Sequence, residues 1–273
     1  MAESGINLSG ATRTNLLALQ RTTDLISRTQ ERLSTGLKVN SAIDDAIAFF
    51  QSRSLSDRAG DLAVLKDTID QGISTVETAV NGIEAISDLV EQMKGIALGA
   101  QSDASTENRS KAALQFNDLR RQLDNLAIDA EYKGTNLIKA SPANLKVVFS
   151  EDGSSTLTIS GVASDSSGLK ITTAASNWDT DANILSSINV LDSALTTLRS
   201  TASTLGSNAS VLTLRLDFTK NLVNALEEGS AKLVNADLNQ ESANLLTLQT
   251  RQQLGTIGLS IAQQSEQSIL RLF

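Results

Sequence analysis

Cysteine and histidine are both missing from the 273 residues. Disulfides and thiolate metal sites are therefore impossible, and the commonest general base and zinc ligand is gone. Proline occurs once, at Pro142. The arms on either side of it are free of the strongest helix breaker. Aromatic residues make up only 3% of the chain, which disfavours a broad globular core. No run of 18 apolar residues occurs, so no segment reads as a membrane-spanning helix. Residues 1–10 lack the basic region and apolar core of a secretory signal, so exit from the cytoplasm would need another route. Positive charge is also short. The net charge of −8 argues against nucleic acid or an anionic membrane as partner.

What the chain does hold is aliphatic side chains in a regular rhythm. Hydrophobic residues make up 40% of it, and the length exceeds a usual single core, so two or more packing units are expected. Apolar residues recur in alternating steps of three and four. The clearest run is Ile184, Ile188, Leu191, Leu195, Leu198, Ala202, Leu205, Ala209, Leu212 and Leu216, continued by Val223 and Leu226. A mean step of 3.5 residues keeps one stripe turned toward a partner helix, as in a coiled coil. At 1.5 Å per residue, the stretch 184–226 spans roughly 65 Å. The expected fold is mainly α, an elongated antiparallel coiled-coil-like helical rod with a small β-hairpin region near its tip.

The elements follow from the punctuation. A first helix is expected over about 11–35, its stripe of Leu16, Leu19, Ile26 and Leu33 diluted by polar residues, with Gly36 at its end. Asn40 and Ser41 restart a helix, Ser41 and Asp44 forming a capping-box pattern, and Asp44 and Asp45 suit the first turn, where the helix dipole favours anions. That helix carries Leu62, Ile69, Val76, Ile83, Val90 and Ala97. A turn is expected over 101–107 and a third helix through Phe116, Leu119, Leu123 and Leu126. The rhythm then alternates: Leu145, Val147 and Phe149 face Leu157 and Ile159 across an Asp152-Gly153 turn, a hairpin signal. Leu169 and Ile171 suggest another short strand. The Ser-, Thr- and Gly-rich stretch 150–183 reads as an exposed tip, with Trp178 plugging the meeting of hairpin and returning helix. Gly229 is expected to end that helix, and a last one to run over about 231–273.

The two ends pose a shared problem. Each offers 35–40 residues of amphipathic helix with a diluted stripe, and neither buries its apolar face alone. A buried Leu or Ile contributes about 1.5–3 kcal/mol, so these ends need a partner surface. They either pack on each other or order against copies of the same chain.

Three motifs carry a family likeness. Residues Arg32-Leu33-Ser34-Thr35-Gly36-Leu37-Lys38-Val39-Asn40-Ser41-Ala42-Ile43-Asp44-Asp45-Ala46 closely resemble the N-terminal signature of bacterial flagellin. Asp237-Leu238-Asn239-Gln240-Glu241-Ser242-Ala243 and Gln263-Gln264-Ser265-Glu266-Gln267-Ser268-Ile269-Leu270 resemble its closing motif. Tyr132-Lys133-Gly134-Thr135-Asn136-Leu137-Ile138 is similar to its turn before the hairpin. The likeness covers roughly residues 1–140 and 180–273, in matching order. Phe49-Phe50 departs from the small residues of many relatives, and the short central insert implies a rod without outer domains.

The resemblance implies a structural subunit that self-assembles into the helical flagellar filament for swimming motility. A hook–filament junction protein, with related ends, is the alternative. It implies residues 1–44 as an inner-core helix and linker, 45–140 as the first half of the rod, 141–183 as hairpin and tip, 184–229 as the returning helix, and 230–273 as a second inner-core helix. The polymerisation contacts would be Leu16, Leu19, Ile26, Leu33, Leu238, Leu245, Leu248, Leu259, Ile269 and Phe273, with Asn40, Ser41, Asp44 and Asp45 as cap and linker. Partners would be the chain itself, an export chaperone at the C-terminal helix, and hook-associated and cap proteins. The protein would be secreted through the flagellar channel, without a cleaved signal peptide, into an extracellular filament. Flagellins sensed by the mammalian innate receptor carry an Arg-rich patch on the second and third helices. Here one basic position is Gln92 and a nearby acidic one Gly95, while Asp118 keeps its acid, which implies weak recognition.

No catalytic or cofactor constellation emerges beside this. Asp44 and Asp45 diverge by about 100° on a helix and are explained by a helix start. The stretch 179–183 mimics a calcium loop, but Ile184 and Val190 stand where its Gly and Glu belong. Arg120-Arg121 reads as a solvated face or an inter-subunit ion pair before a phosphate site. The Ser- and Thr-rich tip offers hydroxyls that sugars could occupy. The chain reads as no enzyme.

Overall fold

The computed structural model describes residues 10–270, apart from the side chains of Ala11, Glu266, Gln267, Ile269 and Leu270. In chain order it forms α1 (Gly10–Thr35), α2 (Ala46–Ser102), α3 (Thr106–Asp129), β1 (Leu145–Val148), β2 (Thr156–Ile159), a 3-10 turn (Ala175–Trp178), α4 (Asp181–Val234) and α5 (Leu238–Leu270). The fold is mainly α, with β1 and β2 as a two-stranded antiparallel hairpin. It divides into two compact units. One unites the residues up to Asp57 with those from Ala225 on, and the other runs from Arg58 to Asn224.

The larger unit takes its core from the three-four rhythm. On α2 the buried row is Ile69, Val76, Ile83, Val90 and Ala97, and on α4 it is Ile184, Leu191, Leu198, Leu205 and Leu212. Both rows advance by seven residues, two coiled-coil steps, which keeps each facing its neighbour along the helix. Phe116, Leu123 and Ala127 of α3 join the same cluster. Ser105 caps α3, its hydroxyl accepting from the Asn108 N–H.

The hairpin pairs Leu145 with Ile159 and Val147 with Leu157, so Val147 and Ile159 point into the core. Gly72 makes room on α2: a Cβ there would lie 2.8 Å from Val147 Cγ2. Before the hairpin, Lys133 (φ 48°) and Gly134 (φ 82°) turn the chain so that Tyr132 pairs with Thr135. Asn136 then holds the whole corner. Its buried amide donates to the Ala127 and Ile128 carbonyls at 2.9 Å and accepts from the N–H groups of Ile138 and Lys139.

Several expectations need correction. The stretch after the hairpin is no exposed tip: Ser164, Asp165, Ser166, Leu169, Ile171, Ala174 and Trp178 are buried. Asp124 on α3 accepts from the Ser166 N–H (2.8 Å) and hydroxyl (2.9 Å), and Asn117 accepts from the Ala174 N–H. Polar composition misled because Ser166 and the Ala174 N–H are satisfied by α3, and the Ser164 N–H by the Ile138 carbonyl, rather than by water. Leu169 and Ile171 form no strand. Leu169 lies in a turn and Ile171 in the irregular backbone after it, with Lys170 at φ 58° between them, and both reach the core from there. Trp178 is a plug, but against Phe116 (ring centroids 4.9 Å apart) and the start of α4, where its indole N–H donates to Ser187 Oγ.

Helix limits also shift. The helix after Asn40 begins at Ala46, not Ser41, with Asp45 accepting from the Ala48 N–H as its cap. Ser41 and Asp44 instead close a separate turn. Gly229 does not break α4, which runs on to Val234. A helical glycine costs only about 1 kcal/mol, and Gly229 packs beside Leu55, 3.5 Å from where its Cβ would be. The break falls at 235–237, where Asp237 accepts from the Asn239 and Gln240 N–H groups and caps α5.

Candidate assembly surface

The smaller unit is built on α1 lying against α5. A glycine permits their approach: a Cβ on Gly255 would come within 3.1 Å of Leu19 Cγ. Where the helices meet the linker, Arg32 donates to Glu241 at 3.0 Å, and the Glu241 side chain is only 11% exposed. A charge so far out of water needs such a partner. Gly36, at φ 73°, turns the chain after α1. Its carbonyl accepts from the Ala236 N–H, and Val234 accepts from Lys38, so the two linkers pair as short antiparallel backbone. Nearby, the hydroxyls of Ser52 and Ser56 each lie 2.8 Å from that of Ser230.

The linker residues picked out by sequence form one turn. Asp44 Oδ2 accepts from the Asn40 N–H, the Ser41 N–H and the Ser41 hydroxyl at 3.0–3.2 Å. These bonds, the Ser41 hydroxyl foremost, hold the Asp44 carboxyl below its ordinary pKa. Asp45 is the cap of α2.

The apolar residues expected to make assembly contacts divide by exposure. Ile26 is buried, while Leu16 and Leu238 are exposed. Leu19, Leu33, Leu245, Leu248 and Leu259 are half-buried. The Ile269 side chain and Phe273 lie outside the described residues. Sequence reasoning passed over Leu17, Leu25, Leu246, Leu254, Ile257 and Ile261, all large and all exposed. The signal was present in α5, whose apolar residues fall on more than one face and cannot all turn toward α1.

In the larger unit, Gln92, Gly95 and Asp118 are exposed. Asp118 pairs with Arg121 three residues on, and Lys94 pairs with Asp192 at 2.5 Å. Arg120 turns inward, donating to Ser166 Oγ at 2.8 Å. Phe49 and Phe50 pack edge to face, with Phe50 exposed. Among the described residues, no group of three or more Asp or Glu gathers as metal ligands, and no helix is long and apolar enough to cross a membrane.

Comparisons with known proteins identify the family. The family model described as bacterial flagellin N-terminal helical region matches residues 6–143, and that of the C-terminal helical region matches 188–273. Flagellin FljM of Caulobacter vibrioides is 35% identical across 100% of both chains. A flagellin of Brucella melitensis is 32% identical over 95% of each. The crystal structure of Bacillus cereus flagellin superposes with a TM-score of 0.49 at 18% identity, over 56% of this chain and 88% of that one. The whole-length likeness to the Caulobacter and Brucella flagellins favours a filament subunit over a hook–filament junction protein. With both terminal helical regions matched and flagellins aligned from end to end, the chain belongs to the bacterial flagellin family, the structural subunits of the extracellular flagellar filament.

Proposed function

We propose that the α1–α5 pair is the polymerising part of this filament subunit, and that its outward apolar residues close only against sister chains. One observation supports the reading above others: Leu17, Leu246, Leu254, Ile257 and Ile261 stay more than half exposed on helices already paired. Large aliphatic side chains left in water in such number mark a surface awaiting a partner. Leu16 and Leu238 belong to that surface; half-buried Leu19, Leu33, Leu245, Leu248 and Leu259 join the contact, Ile269 and Phe273 are assigned to it from the sequence alone, and Ile26 secures the pair from within. The Asn40–Asp45 turn leads from α1 into α2. A contact joining unlike patches, repeated with rotation and rise, yields an open helical filament.

Deleting 1–35 or 238–273 should leave a helical protein that forms no filaments by electron microscopy. Filaments from either truncation would overturn the reading. Leu16→Asp should leave monomer stability nearly unchanged, because the site is exposed there, and still impair assembly by carrying a charge into the contact.

Other parts of the reading rest on family membership. The chain passes unfolded through the flagellar secretion channel, escorted by an export chaperone at α5, and joins hook-associated and cap proteins at the filament ends. Gln92 and Gly95 in place of charged side chains, with Asp118 kept, make it a weak ligand for the mammalian innate receptor. Activation equal to that by a strongly stimulating flagellin in a reporter assay would refute this.

A further inference from the structure

Two unlike charge surpluses stand out on the two units. The first is a cleft of about 300 Å³ between α1 and α5, into which Arg28, Arg32 and Arg251 converge beside a single carboxylate, Glu241. Arg32 is bound to Glu241. Arg28 and Arg251 make no ion pair among the described residues, although the charge of Arg28 is felt at Asp44. Two guanidinium groups are therefore left without a bonded anion beside Thr29, Asn244 and Thr247.

The second surplus lies on the outer face of α2. Asp67, Asp70, Glu77, Glu84, Asp88 and Glu91 follow the same three-four rhythm as the core, in the frame completed by Ser74 and Asn81. All six carboxylates are exposed and the frame contains no cation. Only Asp67, with Lys66 at 3.5 Å, and Glu91, with Arg199 at 3.9 Å, have ion-pair partners among the described residues. Like charges three and four residues apart repel along a helix. The row therefore carries a cost that a cationic partner would relieve.

We propose that the Arg28–Arg251 cleft of one subunit receives carboxylates from the acidic α2 row of a second copy. This rests on the filament reading and adds the partner surface. An open helical assembly joins two different patches, and these are oppositely charged, each short of its own counterions. A guanidinium fork suits a carboxylate at bonding distance, and the contact orients incoming subunits while the apolar residues supply adhesion.

The test uses the full chain and reads the critical concentration for assembly against NaCl. Arg28→Gln with Arg251→Gln should keep wild-type helicity and melting, since neither side chain is buried or paired. It should raise the critical concentration about five-fold, a change at the upper end for an exposed pair, and flatten its salt dependence, because screened attraction is what salt removes. Glu77→Gln with Glu84→Gln and Asp88→Asn should give a shift of the same size. The two sets combined should add nothing further, as for coupled partners. Unchanged assembly by the arginine variant, or effects of the two sets that simply add, would overturn the proposal. Failure of the wild-type chain to form filaments at any salt would instead overturn the filament reading itself.

Discussion

Two glycines of α2 allow one substitution to be tried in opposite settings. Gly82 is buried, and a Cβ built there would lie 2.8 Å from both Ala130 Cβ and Ile138 Cδ1. Gly95 faces open space, with nothing within 4 Å of the same added carbon. Alanine gains up to about 1 kcal/mol over glycine in a helix interior. At Gly95 that gain should be realised in full. At Gly82 it is opposed by overpacking, which costs about 1–3 kcal/mol in a well-filled core. Relief is hard there: Ala130 is tied down as the cap of α3, its N–H bonded to the Leu126 carbonyl at 3.2 Å, and Ile138 is fully buried. Gly82→Ala should therefore be neutral to about 2 kcal/mol destabilising and Gly95→Ala about 1 kcal/mol stabilising. Urea unfolding followed by the fluorescence of Trp178 reads the relevant unit, since the chain has one tryptophan and it is buried there. If Gly82→Ala raises the midpoint as far as Gly95→Ala does, the close packing of α2 against the corner at 130–138 is wrong.

Asp124→Ala strips the acceptor from two bonds to buried Ser166 and should cost about 1–3 kcal/mol. Amide exchange should quicken across 162–171 and not in β1 and β2; equal quickening in both would contradict a local role. Asp152 accepts from Ser150 Oγ, the Ser154 hydroxyl and the Ser154 N–H, which lower its pKa from 3.8 to about 2, the Ser150 bond contributing most. A depressed carboxyl stabilises the loop fully above its unfolded value, and this is lost as pH falls from about 4 through about 2. The Asp152 carboxyl resonance should titrate near pH 2 in NMR, moving with the Ser154 amide, and a midpoint near 4 would show that these bonds do not persist.

The helical rhythm was legible because it is local: a side chain every three or four residues is all that α2, α3 and α4 need to bury one face. The hairpin was legible for the same reason, through alternation and an Asp-Gly turn. The Arg32–Ala46 and Tyr132–Ile138 motifs could also be found in the chain alone, and the second proves to be a turn held by Asn136. What sequence misjudged was long-range. Ser166, Ala174 and Trp178 lie in a stretch of loop composition, yet Asp124, Asn117 and Phe116 supply the partners that make burial favourable. Gly229 carries a real penalty for helix, but it is small beside the packing that carries α4 on to Val234.

The amino-acid order by itself determined the helical class, the stretch that leaves the rhythm, and the family, since each depends on residue type and spacing alone. Only tertiary structure decided which apolar residues of the ends are spent on each other and which are left outward. Ile26 and Leu17 are equally apolar in the chain and are told apart only by where α5 lies. The same holds for charge: Arg32 and Arg28 stand one turn apart on α1, and only the placement of Glu241 gives one a partner and leaves the other open.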